Sequence, residues 1–203
     1  MQVRQIDTDD RRDVRRFVRF PFALYRDSPY WVPPIEKAAA RVLDRRTHPF
    51  YRHSDAVFFL AEDAGRVVGR IALLENRVYN AHNHTNTAQF GYLEMIDDER
   101  VAAGLFQAYF AEARRRGLMR VSGPWRTLRS EGSGVLVEGF EYRPAMGVPY
   151  NPPYYDRLIL AQGLIKEHDT YSGYMSQGQH LPARIKAIAE RARERRGFII
   201  KTF

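Results

Sequence analysis

Three short groups of residues in this chain have the types and spacing to do chemistry: Glu94, the pair Tyr154-Tyr155, and the run Asp97-Asp98-Glu99-Arg100. Glu94 follows Phe90, Tyr92 and Leu93, which read as a strand, and burial there would raise a carboxylate's pKa and suit it to remove a proton. Side chains alternate across a strand, so the bland alternative is a Glu94 that faces solvent or pairs with an arginine. Tyr154 and Tyr155 offer hydroxyls for proton transfer, although aromatic pairs beside proline more often pack. Asp98 is placed to cap a long helix that Gly117 would end, and a strand turning this sharply into a helix gathers free backbone N–H groups. Such a point can bind phosphate.

Other polar clusters carry less. His82 and His84 lack a third ligand nearby, so no metal site is expected. The stretch Ser130 to Gly134, beside Arg126 and Arg129, could cradle an anion but reads more simply as a surface loop. Asn151 in VPYNPP closes a turn or forms a rigid pocket wall. Trp31, Asn151 and Tyr154 are the candidates for contact with an acceptor substrate.

The 203 residues contain no cysteine, which excludes disulfides, thiolate metal sites and thiol nucleophiles. No apolar run is long enough to span a membrane and the N-terminus is not signal-like, so a soluble cytoplasmic protein is expected. The formal charge is +8, but the arginines are spread over three helices among acids. That distribution favours solvated helix faces and an anionic ligand over a nucleic-acid surface.

These residues need a scaffold, and the pattern predicts one. A first strand over 2–6 precedes a helix to about Tyr25, capped by Thr8 or Asp9 with Val14, Phe17, Val18 and Leu24 inward. SPYWVPP at 28–34 is a rigid turn, 35–43 a short helix, and 47–54 a loop. Arms 56–62 and 66–74 form a hairpin about Asp63-Ala64-Gly65. An exposed loop over 76–87 leads to the central strand, where Gly91 permits a bulge at a close approach. The central helix presents Val101, Leu105, Ala108 and Phe110 to Ala113 inward. A strand over 119–122 ending at Gly123-Pro124, a helix over about 153–162, a strand over 166–176, a basic helix over 181–196 and a strand over 198–203 complete the chain. One mixed sheet with helices on both faces is the economical packing.

That order, with FVRFPFALYRDSPYWVPP (17–34), LVEGF (136–140), PYNPPYYDRL (149–158) and a helix ending in Ala161-Gln162-Gly163-Leu164, resembles the GCN5-related N-acetyltransferase (GNAT) superfamily. More narrowly it resembles an uncharacterised bacterial group with two tandem acetyltransferase-like halves. The resemblance implies an α/β (α+β) fold with a mixed, mostly antiparallel central sheet flanked by helices. It implies N-acyl transfer from acetyl-CoA or another acyl-CoA, without metal, to a small-molecule, amino-acid or lipid amine. Glu94 would be the base and Tyr155 the acid that protonates the leaving thiolate. The thioester would lie on the backbone of Tyr92, Leu93 and Met95, and the pyrophosphate on Asp98, Arg100, Val101 and Ala102. Family members usually carry Arg or Gln, then Gly, then Gly or Ala at that phosphate turn. Here the positions hold Asp97, Arg100 and Ala102, and Ile159 stands where the usual acid tyrosine lies.

The resemblance also implies a domain over 1–178, with 179–203 as the start of a second half or a dimerisation element. The alternative functions are a non-catalytic half that serves a second one, and a transferase that takes an aminoacyl group from tRNA.

Overall fold

The hairpin at the centre of the sheet forms because both of its arms bury both faces. On β2 (Asp55–Asp63), Val57, Phe59 and Ala61 enter one core cluster while Ala56, Phe58 and Leu60 enter the other. A period of two with apolar residues on both sides is the pattern of a strand covered above and below. The turn to β3 (Arg66–Glu75) uses Ala64 and Gly65, both at positive φ, between the paired Asp63 and Arg66.

The computed structural model describes residues 1–128, 131–145, 147–173 and 182–196. Within them β1 (Gln2–Gln5), β2, β3, β4 (Thr87–Met95) and β5 (Arg120–Trp125) form one sheet in that order. Every pairing is antiparallel except β4 with β5, which is parallel. The sheet is therefore mixed and mostly antiparallel, as expected.

Helix α4 (Glu99–Arg115) and the short α5 (Tyr154–Leu160) cover one face. Val101, Ala102, Leu105, Phe106, Tyr109 and Ala113 of α4 are buried there. Phe106 and Tyr109, absent from the expected inward set, are its centre, and Phe110 is only half-buried. The other face is covered by α1 (Arg11–Leu24), with Phe17 and Val18 inward, and by Val42 and Leu43 just after α2 (Glu36–Arg41), which itself buries no residue. Asp10 caps α1, accepting from the Arg12 N–H, one residue beyond the predicted Thr8 or Asp9. Val14 and Leu24 are half-buried.

Other differences have local causes. Within the predicted loop 76–87, the Asn76 side chain accepts from the Tyr79 N–H and starts α3 (Arg77–His82). Residues 49–52 of the loop 47–54 form a single 3-10 turn. Strand β5 runs through Gly123-Pro124 to Trp125, which an edge strand tolerates. The strand expected over 166–176 does not form in its described part, 166–173, where every residue is exposed. Arg129, Ser130 and the strand expected over 198–203 lie outside the described residues. The chain divides into two units, Met1–Glu167 and His168–Phe203, and the second contains α6 (Ala183–Arg196). No described helix is long and apolar enough to cross a membrane.

Candidate active site

The site begins at a fault in β4. The register slips on both sides of Gly91, between Arg70 and Ala72 of β3 and between Gln89 and Gly91 against β5. A Cβ on Gly91 would lie 1.9 Å from the Trp125 carbonyl oxygen, so only glycine allows this approach, as the sequence suggested. The next residue, Tyr92, has φ of +48°, an unfavourable conformation for a side chain this large. Its own phenol holds it there. The oxygen lies 2.9 Å from Thr127 Oγ1, donates to Glu131 at 3.1 Å and accepts the Thr127 N–H, and the Arg126 guanidinium covers the ring. Burial, helped by Glu131, pushes this phenol up to about 12.

Beyond Gly91 and Trp125 the two parallel strands share no register, so Leu93 to Met95 have no β5 partner. A cleft of about 40 Å³ lies at this fork, lined in part by Leu93, Glu94, Val135, Asn151 and Tyr155.

Glu94 does not face solvent. It is 6% exposed, and one carboxylate oxygen accepts from both Tyr25 and Tyr155, the latter at 2.8 Å. The two phenol oxygens are 3.1 Å apart. Tyr155 also accepts the Met95 N–H at 3.0 Å, while Tyr154 donates to the Met95 carbonyl at 2.7 Å. The second Glu94 oxygen faces Arg70 Nη2 at 3.7 Å. Arg70 is equally buried, donates from Nη1 to the Phe17 carbonyl at 2.7 Å and has no partner for Nε among the described residues. Burial draws its guanidinium down to about 10, with Glu94 opposing. Burial first, then the Glu94 charge, raise both Tyr25 and Tyr155, so both phenols are protonated at neutral pH.

On the α1–α2 side this cluster opens into a cavity of about 590 Å³. Phe17, Val18, Pro21, Trp31 and Val42 give it apolar walls, and Arg70, Tyr92, Glu94, Arg126 and Glu131 give it polar ones. Glu94 lines both the cavity and the fork cleft, so it stands between two approaches. Of the expected acceptor contacts, Trp31 lines the cavity. Asn151 instead braces a loop through both polar groups of Leu136, and Tyr154 serves Met95.

The expected phosphate turn is closed. Asp98 accepts the Arg100 N–H at 2.8 Å and pairs with the Arg100 side chain, while the Val101 and Ala102 N–H groups donate to the Asp98 carbonyl. Arg157 of α5 bridges Asp97 and Glu99. A pyrophosphate would meet three carboxylates and no free run of amides, so the phosphates of coenzyme A do not fit this turn. Met95, with both polar groups held by tyrosines, likewise has no backbone group free for a thioester. Among the described residues no cluster of His, Asp or Glu could hold a metal.

No protein-family profile matches the chain. It is 31% identical over 173 residues to protein YghO of Escherichia coli (strain K12), covering 83% of this chain and 43% of the relative. It is 30% identical over 161 residues to the bacterial ceramide synthase of Caulobacter vibrioides, covering 79% and 42%. The chain thus spans less than half the length of these curated relatives. Among solved structures, an aminoglycoside acetyltransferase from an uncultured soil metagenomic sample, in complex with sisomicin, superposes with a TM-score of 0.50. The match covers 87% of this chain and 96% of that one at 11% identity. The chain has the GNAT fold.

Two residues of this site escape sequence reasoning. Tyr25 lies just past the end of α1 with no local signal, because only tertiary packing brings it to Glu94. Arg70 did leave a signal. It is a lone charge inside the apolar run of β3, and a buried arginine requires a buried partner.

Proposed function

We propose that this chain carries the acceptor site and the base of an N-acyltransferase that joins an acyl group, supplied as a thioester, to the amine of a lipid. The observation that carries the reading is Glu94, buried between two phenols at the floor of a large apolar cavity. A carboxylate is the right group to take the proton that an ammonium must lose before its nitrogen can attack. An apolar cavity of this size suits an aliphatic chain. Similarity to a protein named ceramide synthase, whose product is an amide of a long-chain amine, supports a lipid acceptor.

The chain's own residues account for the protons. The amine nitrogen bonds to the acyl carbon while the carbon–sulfur bond breaks. Glu94 takes the proton that nitrogen loses. Tyr155 shares that carboxylate oxygen and lines the fork cleft, so it gives its proton to sulfur and regains one from Glu94. Met95 N–H and Tyr25 keep the Tyr155 oxygen and the carboxylate in place meanwhile.

The test is Glu94→Gln in the full-length protein, with amide formation from a long-chain amine and an acyl thioester as the readout. A loss of about 10²–10⁴-fold is expected. A variant as active as the parent removes the proposal.

The closed α4 turn favours one second reading, a GNAT unit that holds the acceptor while another half or a second copy binds the coenzyme. Calorimetry with acetyl-CoA and a long-chain acyl-CoA separates the two. Heat that vanishes in Arg100→Glu places the phosphates on this unit, and no heat favours the partnered arrangement.

A further inference from the structure

The segment between α1 and α2 leaves its aliphatic side chains in solvent. Val32 is 54% exposed and Ile35 77% exposed, and Pro33, Pro34 and Ala38 beside them are exposed as well. Adjacent prolines fix the backbone here, so this is a standing ridge. It is also the rim of the 590 Å³ cavity, which Val32, Pro33, Pro34 and Ala38 line.

A band of cations borders the ridge. A groove between α1 and α2, backed by Val18 and Leu43 of the same cavity wall, carries Arg11, Arg15, Lys37, Arg41 and Arg46 against Asp9, Glu36 and Asp44. Two of those acids are already engaged, Glu36 by Arg19 and Asp44 by Arg46. Arg11, Arg15, Lys37 and Arg41 are exposed and make no ion pair among the described residues. Exposed aliphatic side chains beside a band of unpaired cations match the two layers of an anionic bilayer surface, apolar depth and negative headgroups.

We propose that the α1–α2 face docks on an anionic membrane surface, with Val32 and Ile35 entering the headgroup layer and the cavity mouth opening against the lipid. A long-chain substrate then passes from bilayer to cavity without crossing water. RNA would use the cations but not the ridge. The two aromatic residues here, Tyr30 and Trp31, are both half-buried, and Trp31 packs on Phe22 and Tyr25, so it offers no free stacking face.

The purpose assigned to the docking rests on the lipid-acceptor reading, but its measurement needs no activity. The intact protein is sedimented with vesicles of phosphatidylcholine alone or mixed with phosphatidylglycerol, at low and high salt. Binding is expected only to the anionic vesicles and is expected to weaken with salt. The double change Lys37→Glu, Arg41→Glu and the single change Ile35→Asp should each reduce partitioning by about tenfold or more, with unchanged melting temperatures because all three side chains are exposed. Equal partitioning of parent and variants, failure to bind anionic vesicles, or salt-sensitive retention of single-stranded RNA without vesicle binding each overturns the proposal. Such a failure would leave N-acylation intact. A protein that binds vesicles but forms no amide would sink the catalytic reading alone.

Discussion

Glu94 and Asp98 are four residues apart, and their surroundings are opposite. At the cavity floor one carboxylate is enclosed with two phenols and a guanidinium, all buried. At the first turn of α4, Asp97, Asp98 and Glu99 meet Arg100 and Arg157 at the surface. The pairs at the surface are shorter than the buried one at 3.7 Å, yet they hold less energy. Solvent screens exposed ion pairs, whereas removing one partner of a buried pair costs about 3–5 kcal/mol. Distance alone therefore ranks the two sites in the wrong order; access to water ranks them correctly.

The widest gap between the two sites should appear on deleting the buried acid. Glu94→Ala leaves Arg70 without its counter-charge and is expected to cost about 3–5 kcal/mol in urea unfolding. A cost below about 1 kcal/mol would mean that the floor is wetter than it looks. Tyr25→Phe removes one donor to a charged acceptor and should cost about 1.5–3 kcal/mol in the same experiment. The double change Asp97→Asn, Glu99→Gln probes the other side of the comparison. It should alter stability by no more than about 1 kcal/mol while increasing calorimetric affinity for acyl-CoA, since it clears charge from the turn.

The smallest effect is a pH dependence. The Arg100 side chain, then its backbone N–H, hold Asp98 below the usual carboxylate range. A folded pKa below the unfolded one gives stability that is present above the unfolded value, about 4, and lost as pH falls through the folded value. Asp98→Asn keeps the cap but removes the titration, so its melting temperature should fall less than the parent's between neutral pH and pH ~3.

What could be read in advance follows from how far each signal reaches along the chain. The cap at Asp98, the hairpin and the close approach at Gly91 depend on neighbours within a few residues, and all three are where the sequence puts them. Glu94 and Tyr155 each read as acid–base candidates, but their contact spans 61 residues and no periodicity announces it. Tyr25 was invisible for the same reason. The strand expected over 166–176 shows the converse: its described part, 166–173, forms none, since a few branched or aromatic residues do not by themselves make a strand. Burial of Arg70 was inferable from its apolar neighbours, although its choice of Glu94 was not.

Three residues of α5 grip the joint where β4 becomes α4: Tyr154 and Tyr155 take the two polar atoms of Met95, and Arg157 takes the acids just after it. One short helix thus latches both the fork and the turn. If it lifts, a strand amide, a strand carbonyl and a pair of carboxylates are released together, so access for a donor would be all-or-nothing, and amide exchange at Met95 would report the opening.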